Sequence, residues 1–519
     1  MTYLVISDLH MTSGRDPVSG RWSPTEDFFW DEEFREFLAH HSRRGPCTLI
    51  INGDMFDFLQ VLVLPTEDEA AAYGIRKDDI QPTYGLRCSE AASIFQADKM
   101  IDGHPLFFDA LSGFLARGHQ IRIIKGNHDV QLFWERVQDR IVGRLEAMLP
   151  NAKRGSVRQN LQFLPWFFYV PGLLFVEHGN QYEAATSFRN FLNPVLPFDF
   201  PGTGRQVELD LASFLVRYVT NRMEVFDPLT DNIRPLTKYL QVFLRRHPLI
   251  FLSTAGTAGN YLWKAFAKSA EQAHQKRRGL YRQIDERNEE RLREEAERFS
   301  GGDRRKAEWL GRQLRALDAM KAVPALSLGP VKFLTESLGS PFRLAAALLP
   351  LYAITYIPAV TGWARAFLQK WEPSAWKEVM DGLLLLRVPQ ILLAVLFVLG
   401  AVRIRAWQMR DRKKKRSAEG TAVALRKVAG WVTALFETRY VVFGHSHCED
   451  LLGLRNGSSY FNTGTWIGVF SDRENQYRDI HQFTFLKIES GEAKLLRWDP
   501  RARTSRPVVV LDTDPASGR

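Results

Sequence analysis

Five short polar clusters in this chain hold residue types that can do chemistry together. They are Asp8-Leu9-His10, Gly53-Asp54-Met55-Phe56-Asp57, Gly126-Asn127-His128-Asp129, His178-Gly179-Asn180 and Gly444-His445-Ser446-His447. Singly, each is weak, because an Asp-x-His arises by chance and a lone histidine is more often a satisfied structural group. Jointly, each following an apolar run, they are a strong signal. They supply carboxylate, imidazole and amide donors, a mixed oxygen and nitrogen set that suits Mn, Fe or Zn better than a thiolate-loving metal. Asp8 and His10 flank a single residue and can reach one ion. Asp54 has two carboxylate oxygens and can bridge two ions about 3.5–4 Å apart. Such a pair clamps a phosphate, lowers the pKa of a bound water and stabilises a pentavalent transition state. Gly53, Gly126 and Gly444 are expected to let the backbone turn sharply beside the site.

The elements that must position these clusters can be read from periodicity. Strands are expected at Tyr3–Ile6, Cys47–Ile51, Gln120–Ile124 and Leu173–Val176, with helices over Asp27–His41 and Phe107–Arg117 between them. Strands alternating with helices predict an α/β domain. In such sheets ligands bind outside the carboxyl ends of the strands, which is where each of these four runs meets its polar cluster. Strand patterns return over Arg439–Trp498, and the tail after Asp499 reads as polar and poorly ordered.

At 519 residues the chain is too long for one average domain. With 45% hydrophobic and 25% charged residues it is neither disordered, nor collagen-like, nor mostly transmembrane. Lys+Arg 69 against Asp+Glu 59 gives a net charge of +10, which favours anionic partners. The three cysteines, Cys47, Cys88 and Cys448, build no disulfide framework or zinc ribbon, and the start of the chain lacks a signal-peptide pattern, so a cytoplasmic catalytic part is expected. His178 and His445 lie 267 positions apart, so a large insertion separates two of the clusters. Glu271–Val323 reads as a solvated helical pair broken at Gly301 and Gly302. Leu344–Ala364 is uncharged and, as a helix, about 31 Å long, close to the hydrocarbon thickness of a bilayer. Gly382–Val402 is equally long and carries Arg387 and Gln390, and the basic run Arg403–Arg416 follows it. Together they predict a two-helix membrane hairpin whose basic flank faces the cytoplasm. The expected division is 1–196 and 429–498 for the catalytic domain, 197–341 for a helical insertion, 342–402 for the hairpin, 403–428 for a basic juxtamembrane segment and 499–519 for a flexible tail.

The order D-x-H, G-D-x-x-D, G-N-H-D, H and G-H-x-H resembles the calcineurin-like metallophosphoesterase superfamily over roughly half of the chain. The resemblance implies an α/β fold of four layers, α/β/β/α, with a dinuclear centre at the strand ends and the large, mainly helical insertion added. Carried over residue by residue, Asp8, His10 and His447 hold one divalent metal and Asn127, His178 and His445 the other, with Asp54 bridging. His128 protonates the leaving oxygen and Asp57 orients it. The cofactors implied are two divalent ions, Mn ahead of Fe or Zn. The activity implied is hydrolysis of a phosphoester or pyrophosphate bond by a metal-activated water. The GDMFDF segment and the hairpin are distantly similar to the UDP-2,3-diacylglucosamine pyrophosphohydrolases, although that branch usually has Arg where His128 stands. The expected partners are a phosphorylated lipid or nucleotide-linked substrate and membrane lipid at the cytoplasmic face of the plasma membrane, with no specific nucleic acid. A nuclease or nucleotide phosphodiesterase, and a non-catalytic scaffold that keeps the fold, are the alternatives.

Overall fold

The computed structural model describes residues 1–196, 204–226, 233–234, 246–247, 282–325, 420–454, 457–468, 470–471 and 482–508. These fall in one compact unit spanning Met1–Ser327 and Gly420–Asp512. Two sheets organise it. The first contains β1 (Thr2–Ile6), β2 (Cys47–Asn52), β3 (Gln120–Ile124), β4 (Leu161–Leu164), β10 (Thr484–Glu489), β11 (Glu492–Asp499) and β12 (Thr504–Pro507), in the order β12-β11-β10-β1-β2-β3-β4. β1 to β4 are mutually parallel, and β10 runs antiparallel to β1 with Tyr3 opposite Ile488. The second contains β5 (Phe167–Val170), β6 (Leu174–Glu177), β7 (Tyr440–Phe443), β8 (Glu449–Gly453) and β9 (Ser459–Thr463), in the order β8-β9-β7-β6-β5, with β6, β7 and β9 parallel. β2 and β7 are buried along their whole length, as expected of continuous apolar runs at the centre of parallel sheets.

Alternation along the strands separates two cores. Val5, Ile50 and Ile124 of the first sheet meet Leu174, Val176 and Val442 of the second in one buried cluster, so the sheets pack face to face. The residues between them, such as Leu4, Ile6 and Ile51, point outward into a cluster shared with Phe34 and Phe37 of α1 (Asp31–His41) and Phe107 of α2 (Pro105–Ala116). On the other outer face Phe175 of β6 packs against Phe436 of α3 (Gly420–Phe436), with ring centroids 4.7 Å apart. The layers therefore run helix, sheet, sheet, helix.

Four expectations change. The first helix begins at Asp31 and not at Asp27, because the buried Glu26 carboxylate captures the Phe28 N–H and turns the preceding stretch inward. Leu161–Leu164 and Phe167–Val170 are additional strands around Pro165, each too short for periodicity to reveal. The helical pair is Arg282–Ser300 and Arg304–Ala319, broken at Gly301 and Gly302 as expected, but it is not wholly solvated. Its Leu292, Ala296, Leu310 and Leu314 enter the main core, and residues 204–226 also pack on the two-sheet core through Asn221, which donates to Leu59 O at 2.7 Å. The first part of the expected tail is structured, since β12 continues the antiparallel edge with Thr504 opposite Asp499, and 509–519 lie outside the described residues. Among the described residues no helix is long and apolar enough to cross a membrane. The expected hairpin, Leu344–Ala364 with Gly382–Val402, and the basic run Arg403–Arg416 lie outside the described residues.

Candidate metal centre

The five clusters follow β1, β2, β3, β6 and β7, so the carboxyl ends of parallel strands from both sheets converge on one place. The loops interlock there. Asp8 N–H donates to Gly53 O, His10 N–H to Asp54 O, Gly444 N–H to His178 O and His445 N–H to Asp8 Oδ2. Asp8, His10, Asp54, His445 and His447 all hold positive φ, between 47° and 68°. Non-glycine residues in that region cost energy and are found where the surroundings over-determine them, commonly at functional sites. The glycines act differently from expectation. Gly53 does need its φ of +78°, but Gly126 and Gly444 do not have positive φ. They are required for close approach: a Cβ on Gly126 would lie 2.2 Å from Asp54 Oδ1, and one on Gly444 2.7 Å from Ser7 Cβ.

Three groups of donors that could hold a metal result: Asp8, His10 and His447 in the first, Asp54, His178 and His445 in the second, and His10 again with Asp57 and His128 in the third. In the first, His10 Nε2 and His447 Nε2 face each other at 3.1 Å, with His447 Nε2 at 3.3 Å from Asp8 Oδ1. In the second, His178 Nε2 lies 2.9 Å from Asp54 Oδ2, which is also 3.8 Å from His10 Nε2. Asp54 thus stands between the sets. Asn127 sits on a turn pinned to Asp54, whose Oδ1 accepts the His128 N–H at 2.9 Å. His128 and Asp57, of the third group, form a pair beside the first two: His128 Nδ1 is 2.6 Å from Asp57 Oδ2.

Ring nitrogens of three of these histidines lie against oxygens. Asp57 Oδ2 lies 3.6 Å from His10 Nδ1, Asn52 O is 2.9 Å from His178 Nδ1, and Glu183 Oε2 is 3.1 Å from His445 Nε2. Oxygen partners of this kind fix the tautomer and orientation of a ligating imidazole and raise its basicity. With its Nδ1–H given to a carbonyl, the His178 Nε2 lone pair faces a carboxylate unless a proton or cation lies between them.

The electrostatics point the same way. Burial works to raise the Asp8 carboxyl, but the imidazoles of His10 and His447 outweigh it and hold it well below the usual range. Burial likewise works against the charged His178, but the Asp54 carboxylate prevails and raises it to about 9. His128 is also raised, because Asp57 and Asp54 overcome burial. Cations and protons therefore compete for the same buried lone pairs.

The residues present fit divalent ions on an independent observation. Both side-chain polar atoms of Asn127, which is 1% exposed, have no hydrogen-bond partner among the described residues. Buried polar atoms are almost always paired, so atoms left over at a convergence of donors mark a place for a ligand.

All nine residues expected from the sequence (Asp8, His10, Asp54, Asp57, Asn127, His128, His178, His445 and His447) belong to this one region. Asp129 has a structural part: its two oxygens accept Gly126 N–H at 2.6 Å and Met55 N–H at 2.9 Å, tying two cluster turns together. Sequence reasoning missed Glu183 and Thr186, whose Oγ1 lies 3.2 Å from His445 Nε2. It also missed Asp210, a buried carboxyl close enough to His128 and Asp54 to feel their charges. No motif marks these three, since each is defined only by what folds next to it. No protein-family model, no curated protein and no solved structure matches the chain.

Proposed function

We propose that the protein is a dinuclear-metal-dependent hydrolase of phosphoester or pyrophosphate bonds, built on the four-layer plan of the calcineurin-like metallophosphoesterases and acting at the cytoplasmic face of a membrane. The observation that carries this reading is the pair of donor groups with Asp54 3.8 Å from His10 between them, and the His128–Asp57 dyad alongside. Asp8, His10 and His447 would hold one ion and Asn127, His178 and His445 the other, with Mn ahead of Fe or Zn for this oxygen and nitrogen donor set. Two bound divalent ions supply charge neutralisation at a phosphoryl group and a nucleophilic water at neutral pH.

The chain's own residues supply the rest. Asp57 fixes the His128 ring through Nδ1, which leaves Nε2 to give a proton to the departing oxygen. Asp57 and Asp54 raise the pKa of His128, which favours the protonated ring. His128 is also the ring in the region with open access, its side chain 16% exposed against 1% for His178. Asp57 steadies His10 as well, so one carboxylate orients both a ligand and the acid. The substrate class in this reading is a phosphorylated lipid or a nucleotide-linked phosphate, and the membrane part rests on the two apolar runs of the sequence.

The test is turnover by the purified full chain in detergent with Mn²⁺ against phosphomonoester, phosphodiester, nucleotide-diphosphate and lipid-phosphate panels. Metal-dependent hydrolysis that a chelator abolishes is expected for at least one class. Two bound metals with no turnover of any class would favour the scaffold reading.

A further inference from the structure

A second feature lies apart from the ligand sets. A cleft of about 930 Å³ opens between the helix Glu67–Tyr73 with the loop after it, the turn Phe133–Arg136, the segment around Arg205 and the helix Arg282–Ser300. That volume is in the range of small-molecule sites. Its walls contain both signs of charge, but most of that charge is internally matched. Arg136 lies 3.4 Å from Glu90, and Arg291 lies 3.6 Å from Glu135 and 3.1 Å from Glu294. The buried Asp79 accepts hydrogen bonds from Ser89 and Gln206 and has its carboxyl pushed up by burial.

Three guanidinium groups remain, on Arg76, Arg205 and Arg287, which have no carboxylate partner among the described residues. Glu290 is the one lining carboxylate in the same condition. The Arg205 guanidinium lies 5.8 Å from the Trp134 ring centroid, and Arg76 lies beside Gly204. Asn193, only 6% exposed, also lines the cleft, and its side-chain amide can both donate to and accept from a ligand there.

The cleft is also tied to the metal centre. The stretch that begins at Asn127 and His128 runs through one short turn to Trp134 in the cleft wall. The stretch that begins at Gly204 and Arg205 runs to Asp210, whose buried carboxyl feels the charge of His128. Each therefore has one end in the cleft, the first with its other end at His128 itself and the second with its other end within electrostatic reach of it. Guanidinium forks match phosphate oxygens bidentately, which is why Arg is favoured where phosphate is recognised. We infer that this cleft binds a second phosphoryl group of the substrate, remote from the one that reacts, so that the substrate class is a molecule with two separated phosphates. This rests on the reading of the centre as a phosphoester or pyrophosphate hydrolase.

The test uses the full chain in detergent, with alkane-α,ω-diol bisphosphates of graded length and the matching alkyl monophosphates as probes, measured by titration calorimetry. With Mn²⁺ present, one length of bisphosphate should bind about tenfold to a hundredfold more tightly than its monophosphate, the range expected for two or three charge-assisted contacts. The exposed and unpaired residues of an Arg76→Ala, Arg205→Ala, Arg287→Ala variant can be removed without disturbing the core. That variant should lose the advantage while its monophosphate affinity stays within about twofold. Without metal, the wild type should still bind the bisphosphate more tightly than the variant does. No advantage at any length, equal losses for both probes, or identical metal-free binding by wild type and variant would each overturn the proposal. Cleft binding that survives in a chain that neither holds metal nor hydrolyses any panel member would reject the hydrolase reading alone.

Discussion

Asp54 shows how much one side chain is asked to do. Its Oδ1 accepts the His128 N–H and its Oδ2 lies between His178 and His10, so both oxygens are committed to different neighbours. Asp54→Ala should therefore lose both metals and not one; elemental analysis that still finds two ions per chain would sink the bridging assignment. His128 should behave in the opposite way. His128→Asn should keep its metal content but slow turnover by about 10²–10⁴, the weight of general acid–base catalysis, with a smaller loss for substrates whose leaving groups need no proton. Loss of metal in that variant would make His128 a ligand. Glu183 differs from both, because it touches His445 and takes a hydrogen bond from Thr421 at the start of α3. Glu183→Gln should weaken metal binding by about tenfold to a hundredfold, as carboxylate partners of ligating histidines do. Titration of the metal-free chain with Mn²⁺ reads this without any assay of activity, and an unchanged affinity would leave Glu183 a loop residue.

Between elements, the loop that follows β1 is held by a buried charge cluster. Glu26 accepts the Thr12 and Gly14 N–H groups and lies 3.3 Å from His104 Nε2, while His104 Nδ1 reaches Asp31 of α1 at 2.9 Å. Burial alone would depress the imidazole, but Glu26 and Asp31 raise it to about 9 from its ordinary 6.5. A raised folded pKa contributes stability that is complete below the unfolded value and lost as pH rises through the folded one. The window is therefore pH 6.5 to about 9, and the contribution is at most on the order of 3 kcal/mol. Thermal unfolding of wild type and His104→Gln should differ most near pH 6 and converge toward pH 9. A difference that stayed constant or grew with pH would show that His104 is neutral in the folded protein. The same elements explain the legibility of the fold. Gln120–Ile124 was readable because five residues alternate and end at a polar cluster, whereas β4 and β5 are four residues each around a proline and carry no comparable signature.

For the whole molecule, the separation of His178 from His445 constrains the route of the chain. Both lie at one site, so anything inserted between them must leave and return on the same side, and a spanning segment must cross an even number of times. The two apolar runs satisfy that condition, and the basic run Arg403–Arg416 precedes the return of the chain at α3. In a background without Cys47, Cys88 and Cys448, a cysteine at Ser374 should react with an impermeant thiol reagent outside intact cells, and one at Ser417 only after lysis. Protection of both until lysis would reject a spanning hairpin. In a spanning hairpin, Trp363, Trp371 and Trp376 would flank the outer interface, where indole rings are favoured.

What the sequence determined by itself was local. An apolar run followed by Asp-x-His, or by Gly-Asn-His-Asp, specifies a strand and the donors at its end, because strand period and side-chain type are properties of neighbouring residues. Tertiary structure decided which donors meet. Val5 lies opposite Ile50 within one sheet and Leu174 opposite Tyr440 in the other, and only the stacking of those sheets brings Asp8 to His447 and Asp54 to His178. Glu183 on His445, the close approach of Gly126 to Asp54 and the guanidinium cleft beside Trp134 were equally beyond reach. Each is a contact between segments far apart in the chain, and such contacts are set by burial and sheet order, which leave no spacing in the sequence to read.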